Sequence, residues 1–156
     1  MHREKEINVS PIGFVKRKAK KEDEKDRSLV CSIVVEKDYE KALDGIEDFS
    51  HVYIIFWMHE IDDAERRKMK THPRGRIDLP LLGVFATRSP LRPNPIGLTI
   101  VELLERKDNI LVVRGLDAFD GTPVIDIKPY NHCDKIEDVK VPEWWLKLEK
   151  EKKGEY

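Results

Sequence analysis

The stretch that decides the fold is TIVELLERKDNILVVRGLDAFDGTPVIDIKPY, residues 99–130. It contains three runs rich in β-branched and aliphatic residues, separated by Asp-Asn and Asp-Gly turn signals. These runs predict strands over Thr99 to Glu105, Asn109 to Arg114 and Val124 to Tyr130. Short strands at this spacing, with no long helices between them, favour an antiparallel barrel or sandwich.

Working towards the N-terminus, the same kind of signal recurs. The predicted strands are Ile7 to Phe14 with a bend, Leu29 to Val35, Val52 to Met58 and Leu81 to Ala86. The run VYIIFWM, from Val52, has no polar side and is expected to be buried on both faces, although such an apolar strand also has surface to spare for a partner. The predicted fold class is mainly β: a small antiparallel β-barrel with short peripheral helices and a C-terminal helix.

The predicted helices are short or terminal. A helical turn is predicted from Asp38 through Leu43, and a basic helix from Ala64 to Lys70. Pro142 followed by EWWLKLEKEKK predicts the C-terminal helix. The charge run from Lys16 to Arg27 has no apolar anchor and is expected to be a solvated loop or arm.

The composition limits which classes of protein are compatible with the sequence. The 156 residues carry 29 Lys and Arg against 30 Asp and Glu, a net charge of −1, so no overall field favours nucleic acid or membrane. One domain over residues 1–156 is expected. Cys31 and Cys133 are too few for a disulfide framework and lack zinc-ligand spacing. With no signal peptide and no apolar run of membrane-spanning length, the chain is expected to be a cytoplasmic protein without a membrane contact or a metal.

A rigid loop is the first candidate for chemistry. The segment GVFATRSPLRPNPIG, from Gly83 to Gly97, contains three prolines that restrict its shape. It presents Arg88, Arg92 and Asn94, which could hold a planar or anionic ligand with little ordering cost. The alternative is a strand connection whose arginines face water.

A second candidate is the run LDAFDGTPVIDIKPY. Asp120-Gly121 is a strong hairpin signal, and the turn alone could explain both residues. In the strand that follows, Asp126 and Lys128 share one face, where they form either a structural ion pair or part of a catalytic site.

Two rival functions are kept open. A non-catalytic barrel could grip RNA through a basic patch formed by Arg66, Arg67, Lys68 and Arg74. A metal-dependent hydrolase could use His51 and His59, because their even spacing on an extended strand would point both to one side.

Three segments taken together resemble the TrmO-type family of S-adenosylmethionine-dependent tRNA methyltransferases: Phe49 to His59, Gly83 to Leu103 and Leu116 to Tyr130. The resemblance runs in order from about Ile7 to Tyr130, which leaves residues 131–156 as a C-terminal extension without the extra domain of longer members. It implies a homodimeric β-barrel that binds S-adenosylmethionine without a Rossmann fold. The implied reaction is methylation of the exocyclic amine of a threonylcarbamoyl-adenosine beside the tRNA anticodon.

The resemblance also assigns residues. The implied cofactor-binding residues are His59, Glu60, Arg88, Leu98, Phe119, Asp120, Gly121 and Thr122. Arg92 and Asn94 of the rigid loop are taken as substrate-binding. The catalytic candidates are Asp126, Lys128 and Tyr130: Asp126, or Asp120 in its place, would accept the amine proton, Lys128 would stabilise negative charge, and Tyr130 would stack or hydrogen-bond.

Overall fold

The computed structural model describes residues 7–18 and 28–153, which form two compact units. The first unit holds the described residues up to Glu60 together with Pro95–Asn131. The second holds Ile61–Asn94 together with the described residues from His132 onward. Most of the charge run predicted from Lys16 to Arg27 lies outside the described residues.

The described residues form eight strands. They are β1 (Gly13–Lys16), β2 (Val30–Val35), β3 (His51–Trp57), β4 (Lys70–Thr71), β5 (Leu82–Gly83), β6 (Ile96–Lys107), β7 (Ile110–Arg114) and β8 (Pro123–Pro129). Six of them close into an antiparallel barrel in the order β1-β2-β7-β6-β3-β8, which is the whole sheet of the first unit. Closure leaves no strand edge open. The predicted antiparallel β-barrel is therefore confirmed.

Alternation of side chains builds the barrel core. In β3, Val52, Ile54 and Phe56 point inward and are buried, whereas the side chains between them are only partly buried. The prediction that this strand is buried on both faces is wrong, because only one side of a barrel strand faces the interior. Its continuous apolar run instead gives the barrel an apolar outer face.

Gly97 fixes how β3 and β6 approach each other. It lies opposite Phe56 in the ladder, and a Cβ atom at this position would come within 2.2 Å of the Phe56 ring. The missing side chain therefore provides the space that the ring occupies. This contact sets the register at the end of the barrel where β6 begins.

The predicted Asp-Gly hairpin is wrong. β7 and β8 do not pair with each other: β7 lies between β2 and β6, and β8 lies between β1 and β3. The residues still form a turn, since Thr122 N donates to Phe119 O at 3.2 Å and Gly121 has a φ of +75°. A single positive φ at the third position is the pattern of a type II turn, which leads the chain into β8 without folding it back on β7.

The second unit is built from short elements. Helix α1 (Asp63–Arg66) begins at Asp62, whose side chain accepts from Glu65 N at 2.7 Å. Strand β4 pairs with β5, so the predicted helix from Ala64 to Lys70 stops early. The predicted strand from Leu81 to Ala86 is wrong beyond Gly83, because Val84–Ala86 form a 3₁₀ turn closed by Thr87 N.

The C-terminal helix is confirmed as α2 (Glu143–Lys153). Neither helix of the described residues is long and apolar enough to cross a membrane.

Candidate functional site

Three strand ends meet at one end of the barrel. β3 ends at Trp57, β6 begins at Ile96 and β8 begins at Pro123, and these antiparallel neighbours are ordered β6-β3-β8. The segment His59-Glu60 follows β3, and the turn Phe119–Thr122 precedes β8. Seven of the eight predicted cofactor-binding residues thus lie in the first unit, in these two loops or, for Leu98, near the start of β6.

The exit from β3 is fixed by backbone hydrogen bonding. Met58 N donates to Pro95 O at 2.7 Å, which extends the ladder one residue beyond the strand. His59 and Glu60 follow immediately, and both side chains are exposed. They are therefore free to meet a ligand while their backbone starts from a fixed point.

The Asp120 turn is bound to the end of β1. Arg17 N donates to Asp120 Oδ1 at 2.7 Å, and Gly121 N donates to Val15 O at 2.9 Å. Thr122 is buried at 2% exposure, whereas Phe119 keeps 38% of its surface exposed. Asp120 therefore has a structural role beside its predicted one, and Phe119 offers an aromatic surface.

Arg17 is a supporting residue that the sequence analysis missed. Its place in the charge run predicts a solvated side chain, but Arg17 is only 6% exposed, and its Nη2 donates to Leu116 O at 2.5 Å. The alternation of β1 could have predicted this burial. Gly13 and Val15 point into the barrel, and Arg17 is the next residue in that pattern. Burial raises the pKa of the nearby Cys31 thiol, partly offset by this guanidinium, so the thiol stays protonated at neutral pH.

A row of side chains crosses the outer face of β6, β3 and β8. Ile55 lies opposite Leu98 on one side and Asp126 on the other. Leu98 is 60% exposed and is flanked on the same face by the exposed Ile96 and Ile100. This outer row places a predicted cofactor contact and a predicted catalytic residue on the same face, separated by one strand.

The three catalytic candidates spread along β8. Lys128 Nζ lies 2.9 Å from Asp126 Oδ2, while Asp126 Oδ1 accepts from Ile127 N at 2.9 Å. Tyr130 lies at the far end, where its N donates to His51 O at 3.1 Å. Eight residues separate Thr122 from Tyr130, which is roughly 26 Å of extended strand. Within one chain, Asp126 and Lys128 are therefore in contact, whereas Tyr130 lies far from the Asp120 turn.

The two histidines of the metal alternative lie apart. His51 begins β3 and His59 follows its other end, so eight extended residues separate them by roughly 26 Å. His51 Nδ1 is 2.9 Å from Ser50 Oγ. These two imidazoles of one chain therefore do not share an ion.

The proline-rich loop in the second unit is held in place from two sides. Arg92 donates weakly to the carbonyls of Val84, Thr87 and Ser89, at 3.3–3.5 Å. From α1, Arg66 donates to Pro93 O through Nε at 3.1 Å and Nη2 at 3.0 Å. Part of the hydrogen-bonding capacity of Arg92 thus supports the loop itself, whereas the neighbouring Asn94 is exposed.

Arg88 projects from the same loop and meets α2. Its guanidinium carbon is 5.9 Å from the ring centroid of Trp145, a cation–π distance. Trp145 is oriented by Glu149, whose Oε1 accepts from the indole Nε1 at 3.1 Å, and by the edge of Trp144. No pattern in the sequence pairs these two residues, because they are 57 positions apart.

Comparison with known proteins identifies the family. The sequence profile of the tRNA-methyltransferase O N-terminal domain matches residues 15–135. A probable S-adenosyl-L-methionine-binding protein from Methanothermobacter thermautotrophicus is 45% identical over 130 residues, covering 80% of this chain and 90% of that protein. A mouse tRNA (adenine(37)-N6)-methyltransferase is 46% identical over 91 residues, covering 58% of this chain and 21% of that protein.

Solved structures agree. A crystal structure of TrmO from P. aeruginosa superposes with a TM-score of 0.71 at 29% identity, covering 92% of this chain. The chain spans 64% of the length of that protein. The predicted resemblance is confirmed, and with it the predicted fold. The chain belongs to the tRNA-methyltransferase O family, through the N-terminal domain that defines it.

Proposed function

We propose that the chain is an S-adenosylmethionine-dependent methyltransferase that modifies the exocyclic amine of a threonylcarbamoyl-adenosine next to the tRNA anticodon. Family membership supports the methyltransferase class. The names of the archaeal relatives support the cofactor, and the mouse relative supports an adenine of tRNA as the acceptor. The observation that carries the proposal is the convergence of His59-Glu60 and Phe119–Thr122 at adjacent strand ends of one barrel.

The residues at this barrel end suit the proposed cofactor chemically. S-adenosylmethionine combines a flat adenine, a ribose with two hydroxyls and a charged amino-acid tail. Phe119 offers an exposed ring face to the adenine, and Leu98 offers exposed apolar surface. Glu60 is exposed and can accept hydrogen bonds from ribose hydroxyls.

Alignment is the main task of the chain. The bound cofactor supplies an electrophilic methyl group. The hydrogen bonds of Arg66 and Arg92 hold the proline-rich loop in one shape before any ligand arrives. A site that is already ordered loses less entropy on binding and keeps reacting atoms in line.

One side chain must take the proton that the amine loses. A carbamoyl substituent makes the N–H more acidic, so a carboxylate within hydrogen-bond reach is useful. We assign this role to Asp126 ahead of Asp120, because the Asp120 carboxylate is bound to Arg17 N at the base of the turn. Lys128, paired with Asp126 at 2.9 Å, would stabilise negative charge at the same place.

We also propose that the chain acts as a homodimer in the cytoplasm, where its tRNA substrate is found. Ile96 and Ile100 lie on the outer face of β6, one on each side of Leu98 along the strand, and are 44% and 46% exposed. An apolar row of this kind is typical of a protein interface. Light scattering after size-exclusion chromatography tests this state: Ile100→Lys should shift a dimer to monomer, and a wild-type monomer would contradict it.

Calorimetric titration with S-adenosylmethionine tests the proposed activity at its first step. The folded chain should bind the cofactor with a stoichiometry of about one per barrel, and Arg88→Ala should weaken binding. Absence of binding by a folded sample would contradict the methyltransferase assignment. Binding that is unaffected by Arg88→Ala would retain the cofactor but remove Arg88 from its site.

A further inference from the structure

The second unit contains a basic segment in which Arg88 is the one cation that we assign to the cofactor. Residues 61–94 carry eight Lys and Arg against four Asp and Glu, a local charge of +4 in a chain whose net charge is −1. The excess is not a consequence of overall composition. Within the second unit, the excess lies in the segment that contains α1, β4, β5 and the proline-rich loop.

Only part of this positive charge is neutralised within the unit. Arg66 pairs with Asp63 and Arg76 pairs with Asp78, while Arg92 donates to carbonyl groups. The cations between the end of α1 and the start of β4 are exposed and form no ion pair with residues 7–18 or 28–151; they are Arg67, Lys68 and Lys70. They are therefore available to a polyanion.

Beside these cations lies an aromatic ring that is almost fully exposed. Phe85 retains 79% of its surface, although aromatic rings are usually well buried. Its position is fixed by the small sheet: Lys70 pairs with Gly83, and Val84 N donates to Met69 O at 3.0 Å. Phe85 therefore directly follows Val84, whose backbone is hydrogen-bonded to Met69, the residue between Lys68 and Lys70.

A groove follows the same edge. It has a volume of about 530 Å³ and is open to solvent. Its lining residues are Asp63, Arg66, Arg67, Met69 and Pro93. The groove therefore lies between α1 and the proline-rich loop, and Met69 at its edge is the residue whose carbonyl accepts from Val84 N.

We propose that Arg67, Lys68, Lys70 and Phe85 form a binding surface for single-stranded RNA, here named the RNA-contact surface. The cations would bind successive backbone phosphates, and an unpaired base would stack on Phe85. Arg67 lines the groove, and Lys68 and Lys70 follow it along the chain. Clustered cations with an exposed aromatic ring are the combination that proteins use to bind single-stranded nucleic acid. An unpaired tRNA loop fits this surface better than a duplex, whose bases are already stacked. The inference rests on the proposed function, because tRNA is the proposed substrate.

Binding of a fluorescein-labelled anticodon stem-loop to the full chain tests the ring. Phe85→Ala should weaken affinity about tenfold, within the range for loss of one stacking contact. Phe85→Trp should retain it, because a ring is still present. Ile77→Ala is the matched control, since Ile77 is an apolar side chain of the same unit that is 87% exposed but is not part of the RNA-contact surface. Equal affinity for Phe85→Ala and wild type, or an equal loss in the Ile77→Ala control, would overturn the proposal.

Salt dependence tests the cations. The Lys68→Ala/Lys70→Ala variant should reduce the slope of log affinity against log salt concentration by about 1.4, because each phosphate contact to a single strand contributes about 0.7. Lys140→Ala, an exposed lysine outside the RNA-contact surface, should leave the slope unchanged. An unchanged slope in the double variant would also overturn the proposal.

Titration with S-adenosylmethionine separates the two claims. The Phe85 and lysine variants should bind the cofactor as the wild type does. If the chain binds the cofactor but its RNA affinity is indifferent to Phe85→Ala, the RNA-contact surface is wrong and the methyltransferase proposal stands. If RNA binding depends on Phe85 and no cofactor binds, the surface stands and the proposed function fails.

Discussion

The guanidinium carbon of Arg88 lies 5.9 Å from the centroid of the Trp145 ring. Arg88 belongs to the family motif, whereas Trp145 lies beyond residue 135, where the family match ends. The C-terminal helix thus supports a residue that we assign to the cofactor. An exposed cation–π contact is worth roughly 0.5–1 kcal/mol, enough to bias the position of one side chain.

Replacing the ring should therefore weaken cofactor binding indirectly. Trp145→Leu should lower S-adenosylmethionine affinity about two- to fivefold, which corresponds to roughly 0.5–1 kcal/mol. Arg88→Ala should cost more, since it removes the binding group itself. Trp145→Phe keeps a ring and should lie close to wild type in calorimetry. Full affinity in Trp145→Leu combined with a loss in Arg88→Ala would show that Trp145 does not position Arg88.

The fork of Arg66 on Pro93 O should govern the rigidity of the proline-rich loop. Arg66→Lys keeps the charge but cannot donate two parallel hydrogen bonds to one carbonyl. We expect faster hydrogen exchange at Leu91 and Arg92, measured by mass spectrometry. Arg67→Lys is the control, because Arg67 is the next residue along the chain but lies outside this contact. Equal protection in both variants would mean that the prolines alone hold the loop.

An exposed ion network ties α2 to the segment around Arg76. Hydrogen bonds from Arg76 and Lys147 hold the pKa of Asp78 well below its usual range, and Arg76 lowers the pKa of Glu151. Lowered carboxyl pKa values contribute stability above about pH 4, which is lost as the pH falls through the folded-state pKa. Tryptophan fluorescence should therefore report loosening of α2 below about pH 4.

Two controls sharpen that prediction. Asp78→Asn should reduce the acid-induced change, and salt at 1 M should weaken the network at neutral pH because its members are exposed. Glu143→Gln, on the same helix but outside the network, should behave as wild type. An identical acid profile for Asp78→Asn and wild type would remove the network as the cause.

The space beside Phe56 predicts a strong effect at one glycine. Gly97→Ala would place a Cβ atom within 2.2 Å of the Phe56 ring, so the ring or the strand must move. We expect the free energy of unfolding in urea to fall by about 1–3 kcal/mol, as in overpacked cores. Gly83→Ala is matched, because nothing lies within 4 Å of its added Cβ atom, and it should change stability little. Similar values for both variants would contradict the close packing.

The two acidic candidates should separate in kinetics. Asp126→Asn should leave cofactor affinity unchanged and slow methyl transfer about a hundredfold or more, since a hundredfold is the lower end for loss of a general base. Asp120→Asn should instead affect cofactor binding, because its carboxylate anchors the turn on Arg17 N. Loss of cofactor binding in Asp126→Asn would indicate that the Asp126–Lys128 pair is structural.

Local patterns predict the barrel strands well, and distant pairings poorly. The strands around Val52 and Ile110 were found because their apolar runs are bounded by turn residues. The run after Gly83 is equally apolar but forms a 3₁₀ turn, which periodicity does not distinguish from a strand. The hairpin prediction at Asp120 failed because partners of β8 are chosen by barrel closure, far along the chain.

The residues of the candidate site also fall into those that the sequence predicts and those that it does not. Motif resemblance assigned residues to two loops, and barrel topology places those loops at neighbouring strand ends. The supporting roles of Arg17, which holds the Asp120 turn, and of Trp145, which contacts Arg88, could not be predicted. Each depends on a contact between residues far apart in sequence. Such contacts are products of tertiary packing and leave no local spacing to detect.

Transfer of an isotopically labelled methyl group from S-adenosylmethionine to tRNA is the most direct measurement of the central claim. After incubation with the full chain, nucleosides from the digested tRNA are separated and weighed by mass spectrometry. The account predicts one labelled methyl group on the exocyclic amine of threonylcarbamoyl-adenosine. Unlabelled tRNA after incubation with folded chain that binds the cofactor, or label on a different nucleoside alone, would contradict it.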